Sequence, residues 1–382
     1  MLSASDPDSA LDARRRALSP RIENVSVNLT SRCNLRCRFC YNLMSAPLRS
    51  EDELTADEII GFLDTLQGFL GPRPSLFLLG GEPLLCADKV LVVGRFAVAA
   101  GFDVIVSTNG TFLTDEFATA AHQAGIQVQV SLDGPVEAIH DALRGSGSYR
   151  RALASLKTLV RNRAYTIASM VCLEENLPHI EAFYALAASV GVNEARVIPL
   201  KRIGGASQNG TAPVPLSRLI FAMISLLERH PEYAALMGRD CLSILAGQCQ
   251  MAFPRKSCGT GVQTVLLDAD GTLYPCLNTN RTEFAFGNLR ESSFNFGAAW
   301  RTSPVLERVR RETSVETRDN ACADCLVKYW CLGGCHGENY AVNGSLSSRS
   351  PDCVELRRAV TEMMWTLSTG PGWAQKLRSR IC

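Results

Sequence analysis

Hydrophobic residues recur in the first half of the chain as short β-branched runs that alternate with longer stretches of helical spacing. The short runs predict six strands, at Arg21–Thr30, Leu76–Leu79, Asp103–Ser107, Gln127–Leu132, Thr166–Cys172 and Ala195–Leu200. The stretches between them predict helices at Glu53–Leu70, Lys89–Ala100, Asp115–Ala124, Tyr149–Arg161 and Leu177–Val190. Thr55 and Glu58 have the spacing of a capping box, and Gly125 and Gly191 are placed to end two of the helices.

This alternation predicts an α/β fold built from parallel βαβ units. Six units indicate a partial (β/α)6, TIM-like barrel over residues 21–202 rather than a closed barrel of eight strands. An open, doubly wound sheet is the alternative, because alternation alone does not distinguish the two. In either fold the chemistry is expected at the carboxyl ends of the strands.

The pattern changes after Arg202. Residues 203–248 predict a linker, Gly204–Pro215, and a helical bridge that includes Pro215–Glu228. Residues 249–365 are rich in cysteine and turns and predict a small C-terminal domain held together by metal clusters. Within this domain we expect a helical crossover at Ser293–Thr313 and a terminal helix from Cys353 to Thr369. Residues 1–20 and 366–382 are predicted tails.

Composition narrows the class of protein. The 382 residues are enough for two or three domains. The hydrophobic fraction of 46% is enough for a sizeable core. A net charge of +1 argues against a general binder of nucleic acid or of anionic membranes. The N-terminus shows no secretory signal and no apolar run is long enough to span a bilayer, so we expect a cytoplasmic protein. Fifteen cysteines, most of them clustered in motifs, then indicate metal or redox chemistry rather than disulfides.

Cys33, Cys37 and Cys40 follow the first predicted strand with C-x3-C-x2-C spacing. An iron–sulfur cubane normally takes four cysteines. Three thiolates in one loop would leave the fourth iron open to a small molecule, so the loop is expected to be a reaction centre. A zinc knuckle is the alternative, although structural zinc sites use four ligands, usually from paired arms.

Polar turns follow the next three predicted strands. Gly80, Gly81 and Glu82 end the second strand, Ser107 and Asn109 the third, and Ser131 and Asp133 the fourth; Arg144 follows. The glycines allow close approach of a ligand to the backbone, and Glu82 can accept a hydrogen bond from an amine. Each turn alone is equally typical of an ordinary strand end, and Arg144 of a solvated helix end. Ile198–Leu200, at the end of the last strand, is either pocket lining or core.

A second cysteine series lies in the C-terminal region. Cys258 precedes Gly271 and Cys276, and a C-x2-C-x5-C-x3-C run with one further cysteine follows, at Cys322, Cys325, Cys331, Cys335 and Cys353. C-x2-C pairs also bind zinc, so local spacing alone leaves zinc open. Cys86, Cys172 and Cys382 match no motif, and we expect them to be small buried residues or part of a frayed tail.

Together these motifs resemble two families. Residues 25–200 resemble the radical S-adenosylmethionine (SAM) superfamily, and residues 258–353 resemble the SPASM extension of one group of its enzymes. The resemblance implies a [4Fe–4S] cluster at Cys33, Cys37 and Cys40 that binds SAM. It also implies SAM-binding roles for the strand-end residues, which are Gly80, Gly81, Glu82, Ser107, Asn109, Ser131, Asp133 and Arg144.

The SPASM resemblance implies two auxiliary [4Fe–4S] clusters. The first, here site 1, would use Cys258, Cys276 and Cys335, with Cys249, Cys241 or an open iron in the fourth position. The second, here site 2, would use Cys322, Cys325, Cys331 and Cys353.

The resemblance also implies an oxidoreductase that cleaves SAM to a 5′-deoxyadenosyl radical and oxidises its substrate by two electrons. The net reaction is a C–S, C–C or C–O bond formation, a desaturation or an alcohol oxidation. A ribosomally made peptide is the expected substrate, and a sugar or aminocyclitol, for a dehydrogenase or epimerase, is the alternative. A sulfatase-activating maturase is disfavoured, because Leu277 stands where that pattern has an acidic residue. A non-catalytic metal scaffold is the remaining hypothesis.

The resemblance to radical SAM enzymes also implies partner proteins. An external reductant such as flavodoxin or ferredoxin would supply electrons. Residues 1–20 are too short for a leader-binding domain, so a peptide's leader would need a separate binding protein or the catalytic domain itself.

Overall fold

The protein is built on one open sheet of nine strands, seen in a computed structural model that describes residues 21–44, 48–249, 255–317 and 322–374. The strands lie in the order β6-β5-β4-β3-β2-β1-β7-β8-β9. Their bounds are β1 Ile22–Asn28, β2 Leu70–Leu79, β3 Asp103–Thr108, β4 Gln127–Ser131, β5 Thr166–Cys172, β6 Glu194–Pro199, β7 Thr264–Leu267, β8 Thr272–Tyr274 and β9 Gly287–Asn288. The predicted tail at residues 1–20, and Cys382 in the other tail, lie outside the described residues.

Helices connect the strands and cover the C-terminal region. In the barrel half they are α1 Ala56–Thr65, α2 Ala87–Ala99, α3 Asp115–Ala124, α4 Glu137–Arg144, α5 Ser148–Arg161 and α6 Ile180–Val190. Beyond it are α7 Gly205–Gln208, α8 Leu216–Arg229, α9 Cys241–Cys249, α10 Phe296–Thr302, α11 Pro304–Thr313, α12 Lys328–Cys331, α13 His336–Asn343 and α14 Cys353–Ser368. Within the described ranges, no helix combines the length and apolar character needed to cross a membrane.

The strand order distinguishes a partial barrel from a doubly wound sheet. Strands β1 to β6 pair in parallel, each with its neighbour in the chain. Right-handed crossovers between sequential strands place all the helices on one face, which curves the sheet toward a barrel. A doubly wound sheet instead reverses its strand order at a switch point. The partial-barrel prediction is therefore confirmed.

Local sequence signals explain several helix ends. The Thr55 hydroxyl accepts a hydrogen bond from the Glu58 backbone N–H at 3.2 Å, and the Glu58 carboxylate accepts from the Thr55 N–H at 2.7 Å. This is the predicted capping box at α1. Gly125 and Gly191 end α3 and α6 with φ of 71° and 84°, in the left-handed region that favours glycine.

Two predicted helices differ from the structure. The first ends at Thr65 instead of Leu70, because residues 67–69 turn and Leu70 already belongs to β2. The crossover expected over Ser293–Thr313 is two helices that meet at Ser303. Pro304 has no N–H to continue α10, but it suits the first turn of α11.

The C-terminal region contributes strands to the barrel sheet, which the sequence pattern did not predict. Strand β7 pairs in parallel with β1, with Val25 opposite Val265, and β8 and β9 add antiparallel strands outside it. The cysteine-rich region is therefore continuous with the sheet through β1, the strand that carries the first cysteine loop.

Ion pairs fix the C-terminal region against the barrel. Arg202, just after β6, contacts Asp352 at 2.8 Å and the buried carboxylate of Glu338 at 3.1 Å. On the other side, Arg290 donates to Glu58 at 2.8 Å. The Arg290 hydrogen bond holds the pKa of Glu58 at about 2.

Candidate active site

The C-x3-C-x2-C loop lies at the carboxyl end of β1 and opens into a cavity of about 440 Å3. Cys33, Cys37 and Cys40 are free thiols, and all three line this cavity. The loop is folded by a bond from the Cys40 N–H to the Cys37 carbonyl at 3.2 Å. Burial raises the pKa of Cys37 to about 11. The structure brings the three thiols together at one cavity, and their role as cluster ligands stays a prediction.

Glu53 supports this loop, although no motif in the sequence identified it. Its carboxylate is 1% exposed and accepts from the Thr30 hydroxyl and from the Ser31 N–H at 3.1 Å. These bonds hold the backbone just before Cys33.

Gly80 and Gly81 bring the end of β2 against the cysteine loop. The Gly81 N–H donates to the Thr30 carbonyl at 2.7 Å, and Gly80 has φ of 145°. A Cβ on Gly80 would lie 2.4 Å from the Thr30 oxygen, and one on Gly81 would lie 2.1 Å from the Arg32 oxygen. Both glycines also line the cavity. Because they have no side chain, both the loop's backbone and a ligand can approach them closely.

We expect Gly81→Ala to displace the cysteine loop, because its Cβ would meet backbone rather than a flexible side chain. Overpacking of this kind costs about 1–3 kcal/mol, and the variant should also bind less iron after anaerobic reconstitution. Gly61→Ala is the matched control, since Gly61 in α1 has open space around its Cβ position. That variant should keep its iron and gain about 0.5–1 kcal/mol. Thermal melting measures the change in stability, and an iron assay measures the iron bound. Equal iron in both variants would contradict the prediction.

Glu82 is buried behind the cavity wall. Its carboxylate accepts from the Thr108 hydroxyl, the Asn109 N–H at 2.7 Å and the Leu84 N–H at 2.9 Å. Burial raises its pKa, and these hydrogen bonds oppose the rise. Glu82 thus ties the end of β2 to the end of β3, and its expected contact with a ligand amine stays a prediction.

Ser107, Asn109 and Ser131 line the cavity at the ends of β3 and β4, and their binding of SAM stays a prediction. The Asn109 side chain donates to Asn34 in the cysteine loop at 2.9 Å. Gln129 joins them from β4 and donates to the Ser107 hydroxyl at 3.2 Å. Consecutive strands therefore present polar side chains along one wall.

Arg144 faces the cysteine loop and is held there by Asp133. The fully buried Asp133 carboxylate pairs with Arg144 and accepts from the Val171 N–H at 2.8 Å. The guanidinium lies over the Phe39 ring at 5.5 Å, with Nη1 3.9 Å from the Cys37 sulfur. Burial opposes the charge of Arg144, but Asp133 and Cys37 raise its pKa. Arg144 lines the cavity, whereas Asp133 does not and affects the cavity by holding Arg144 in place.

His140 completes the support of this corner. The Asp133 N–H donates to its Nδ1 at 3.0 Å, and burial lowers the pKa of His140 to about 4. The ring is therefore neutral near pH 7 and adds no charge beside Arg144.

Residues at the end of β6 and from the C-terminal region also line the cavity. Ile198, Pro199 and Leu200 line it, as one of the two readings of that segment expected. Lys201, Leu277 and Asn278 also line it, and sequence reasoning missed these as cavity residues. One signal in the sequence could have identified Leu277 and Asn278, because they directly follow Cys276 of site 1.

Site 1 adjoins the cavity at Asn278. Asn278 donates to the Cys335 sulfur at 3.4 Å, and the Cys258 sulfur is 3.1 Å from the Thr260 hydroxyl. Burial raises the pKa of Cys276 to about 12, and the charges of Cys335 and Cys258 add to the rise. Cys258, Cys276 and Cys335 are thus close enough to interact electrostatically.

The fourth ligand of site 1 stays open between Cys249, Cys241 and an open iron. The Cys241 sulfur contacts the Met223 sulfur at 3.5 Å, and Cys249 ends α9. Within the part of the chain that the structure describes, the interactions found for these two cysteines involve none of Cys258, Cys276 and Cys335.

Site 2 has its own cavity, of about 260 Å3, lined by all four expected cysteines: Cys322, Cys325, Cys331 and Cys353. Burial raises the pKa of Cys331 to about 11, and the charges of the other three raise it further. The Gly333 N–H points at the Cys331 sulfur at 3.4 Å. Four free thiols around a cavity form the donor set that a [4Fe–4S] cluster requires.

Comparison with known proteins agrees with this geometry. Residues 27–187 match the model of the radical SAM superfamily, and residues 258–326 match that of the SPASM iron–sulfur cluster-binding domain. The mycofactocin maturase MftC of Mycolicibacterium smegmatis is 30% identical over 340 residues, which are 86% of this chain and 81% of MftC. The chain belongs to the radical SAM superfamily.

Other relatives broaden the picture of this radical SAM protein. An AdoMet-dependent heme synthase of Methanosarcina barkeri is 27% identical over 352 residues, covering 88% of this chain and 97% of that one. The crystal structure of Streptococcus suis SuiB bound to S-adenosylmethionine has a TM-score of 0.73 at 14% identity, covering 92% of this chain and 84% of SuiB. The SuiB likeness shows the shared fold.

Membership of the radical SAM and SPASM families makes this chain an enzyme whose cofactors are SAM and [4Fe–4S] clusters. The donor sets fit, since three thiols face the large cavity and four face the site 2 cavity. Among the described residues, no three His, Cys, Asp or Glu side chains converge on a single metal ion. A cubane does not require such a point, because each of its cysteines binds a separate iron. The scaffold hypothesis and the zinc alternatives are therefore set aside.

Proposed function

We propose that this radical SAM enzyme oxidises a ribosomally made peptide by two electrons, forming a C–S, C–C or C–O bond. The observation that carries the proposal is that one cavity joins the two cysteine-rich regions. Cys33, Cys37 and Cys40 line it, and so do Leu277 and Asn278, which lie next to site 1. A substrate in this cavity would lie between the SAM-binding loop and an electron acceptor. The bound cluster and SAM together supply a 5′-deoxyadenosyl radical that removes a hydrogen atom from the substrate.

The residues of the chain would orient the two ligands. Arg144, held by Asp133, would bind the SAM carboxylate through charge-assisted hydrogen bonds. Gly80, Gly81, Ser107, Asn109 and Ser131 would hold the rest of SAM along the strand ends. Among the described residues that line the cavity, none is acidic, and Arg144 and Lys201 are cationic. The Lys201 amine lies 3.6 Å from the Glu338 carboxylate.

A peptide substrate is supported by the mycofactocin maturases among the relatives and by the resemblance to SPASM peptide maturases. A tetrapyrrole is the second candidate, because other relatives are named as heme synthases and as a pre-heme d1 synthase. An external reductant and a separate leader-binding protein belong to the peptide proposal as its partners.

The test is to incubate the reconstituted enzyme anaerobically with SAM and dithionite. The candidate peptide comes from a short cysteine- or aromatic-bearing reading frame beside the gene. We expect 5′-deoxyadenosine and a peptide that has lost two hydrogen atoms, with deuterium transferred from a labelled residue to 5′-deoxyadenosine. A Cys322→Ala/Cys331→Ala variant should still cleave SAM but yield little oxidised peptide, because it disrupts site 2. If the wild type cleaves SAM and leaves the peptide unchanged while a porphyrin precursor or an aminocyclitol is oxidised, the peptide proposal is wrong.

A further inference from the structure

A chain of hydrogen bonds runs across the barrel from β6 to β3. Arg196 in β6 donates through Nη1 to the amide oxygen of Gln129 in β4 at 3.1 Å, and the Gln129 amide nitrogen donates to the Ser107 hydroxyl in β3 at 3.2 Å. Among the described residues, Gln129 and Ser107 line the large cavity, and the buried Arg196 does not. Alternate residues of a strand share a face, so Gln129 lies one position deeper in the barrel than Ser131, at the end of β4.

Glu194 neutralises the charge of Arg196. Its Oε2 accepts from Nε of Arg196 at 2.8 Å and from Nη2 at 2.7 Å, and its Oε1 accepts from the Tyr165 hydroxyl at 2.7 Å. Gly238 leaves room for this carboxylate, since a Cβ there would lie 1.6 Å from Oε2. The pair therefore fixes the guanidinium in place beside Gln129, and it carries no net charge.

The orientation of the Gln129 amide follows from its neighbours. A guanidinium has only donors, so the amide atom that faces Arg196 must be the oxygen. The amide nitrogen then faces Ser107, and one of its two protons binds the Ser107 oxygen. Among the hydrogen bonds of the described residues, the second amide proton has no acceptor. Gln129 therefore offers an uncharged N–H donor in a fixed position on the cavity wall.

We propose that Gln129 determines substrate specificity by donating a hydrogen bond to an uncharged oxygen of the substrate, which in a peptide is a backbone carbonyl. This rests on the proposed function, in which a ribosomally made peptide enters the large cavity. Ser131, one position nearer the strand end, is expected to hold SAM, and the deeper Gln129 is left for the substrate. A carboxylate would find no free cation here, because the charge of Arg196 is matched by Glu194.

The experiment uses two variants that lose the Gln129 donor but differ in what they offer Arg196. Gln129→Met removes the acceptor of Arg196 as well as the donor, whereas Gln129→Glu keeps an acceptor and has no N–H to donate. The probe is the candidate peptide of the neighbouring reading frame, with the reconstituted full chain. Both variants should raise its KM about tenfold, because each loses a neutral hydrogen bond to the bound peptide. Affinity for SAM, measured by isothermal titration, should change less than about twofold, because the residues expected to bind SAM are intact.

Gln127→Glu is the matched control. Gln127 belongs to the same strand, donates to Asp103 at 3.4 Å and is not among the described residues that line the cavity. Its KM should match that of the wild type. Iron content and thermal unfolding show whether all three variants are folded.

A thioamide scan of the peptide identifies the oxygen that Gln129 binds. Each thioamide weakens one carbonyl acceptor. One position should raise the KM of the wild type and have no further effect in Gln129→Met, as expected for two groups that bind each other.

An unchanged KM in both Gln129 variants would overturn the proposal. So would a raised KM in Gln129→Met alone, since the amide would then serve only Arg196. A loss of SAM affinity with an unchanged KM for the peptide would overturn it too, because the contact would then be to SAM.

Failure of the proposed function gives a different result. The wild type would then leave the peptide unchanged and oxidise a porphyrin precursor or an aminocyclitol. The same two variants, measured on that compound, decide the role of Gln129. A rise in KM of about tenfold shows a donor to another uncharged substrate oxygen, and the absence of a rise overturns the assignment.

Discussion

Replacement of Cys33, Cys37 and Cys40 together by alanine should abolish 5′-deoxyadenosine formation while leaving the two auxiliary sites loaded. The three thiols line one wall of the large cavity, apart from the site 2 cavity. On four-iron stoichiometry, iron should fall from about twelve to about eight per chain. Iron and sulfide assays after anaerobic reconstitution, with chromatography of the nucleoside product, measure both effects.

Cys86→Ala is the control for this variant. Cys86 is a free thiol that bonds the Pro83 carbonyl at 3.2 Å and lies outside the three cysteine sets. It should keep full iron and full SAM cleavage. About four irons in the wild type, with zinc bound in addition, would show that the C-terminal cysteines hold zinc, and the argument for an electron acceptor would fail.

The barrel half could be predicted from the sequence because its signals are local. β-Branched runs, a capping box at Thr55 and Glu58, and glycines at 125 and 191 each specify their own element. The cysteine loop was also predictable, since its ligands lie within eight residues of one another along the chain. Short-range spacing is sufficient for features of this kind.

The parts that could not be predicted depend on contacts between distant segments. Strands β7 to β9 have two to four residues each, too few for a periodic pattern, and β7 forms only because β1 offers a free edge. Leu277 and Asn278 reach the cavity because the C-terminal region packs against the barrel. Adjacency to Cys276 hinted at a role for them, but that they line the same cavity as the first cysteine loop follows from the tertiary fold.

The roles of two buried carboxylates, Glu82 and Asp133, also could not be predicted from the sequence. A motif locates Glu82 and Asp133 at strand ends, but it does not say where their oxygens point. In the structure Glu82 bonds the end of β3, and Asp133 bonds Arg144 and β5. Both carboxylates therefore position the residues that line the cavity.

Asp133→Ala should be among the most damaging single substitutions in the barrel. It leaves the guanidinium of Arg144, whose side chain is 12% exposed, without its carboxylate partner. Loss of one partner of a buried pair costs about 3–5 kcal/mol, because the other charge stays buried and uncompensated. Thermal unfolding of the reconstituted variant measures this cost. Glu137→Ala, which removes the partner of the exposed Arg150, should cost less than about 1 kcal/mol.

The double variant Asp133→Ala/Arg144→Met separates stability from ligand binding. It removes both charges, so it should be more stable than Asp133→Ala alone, since an apolar replacement of a buried pair is often neutral. Its affinity for SAM should nevertheless stay low, about tenfold or more below wild type, because no guanidinium remains to bind the carboxylate. Isothermal titration with SAM decides the matter. Wild-type affinity in the double variant would show that Arg144 is purely structural, and the orientation of SAM would then depend on the strand-end residues alone.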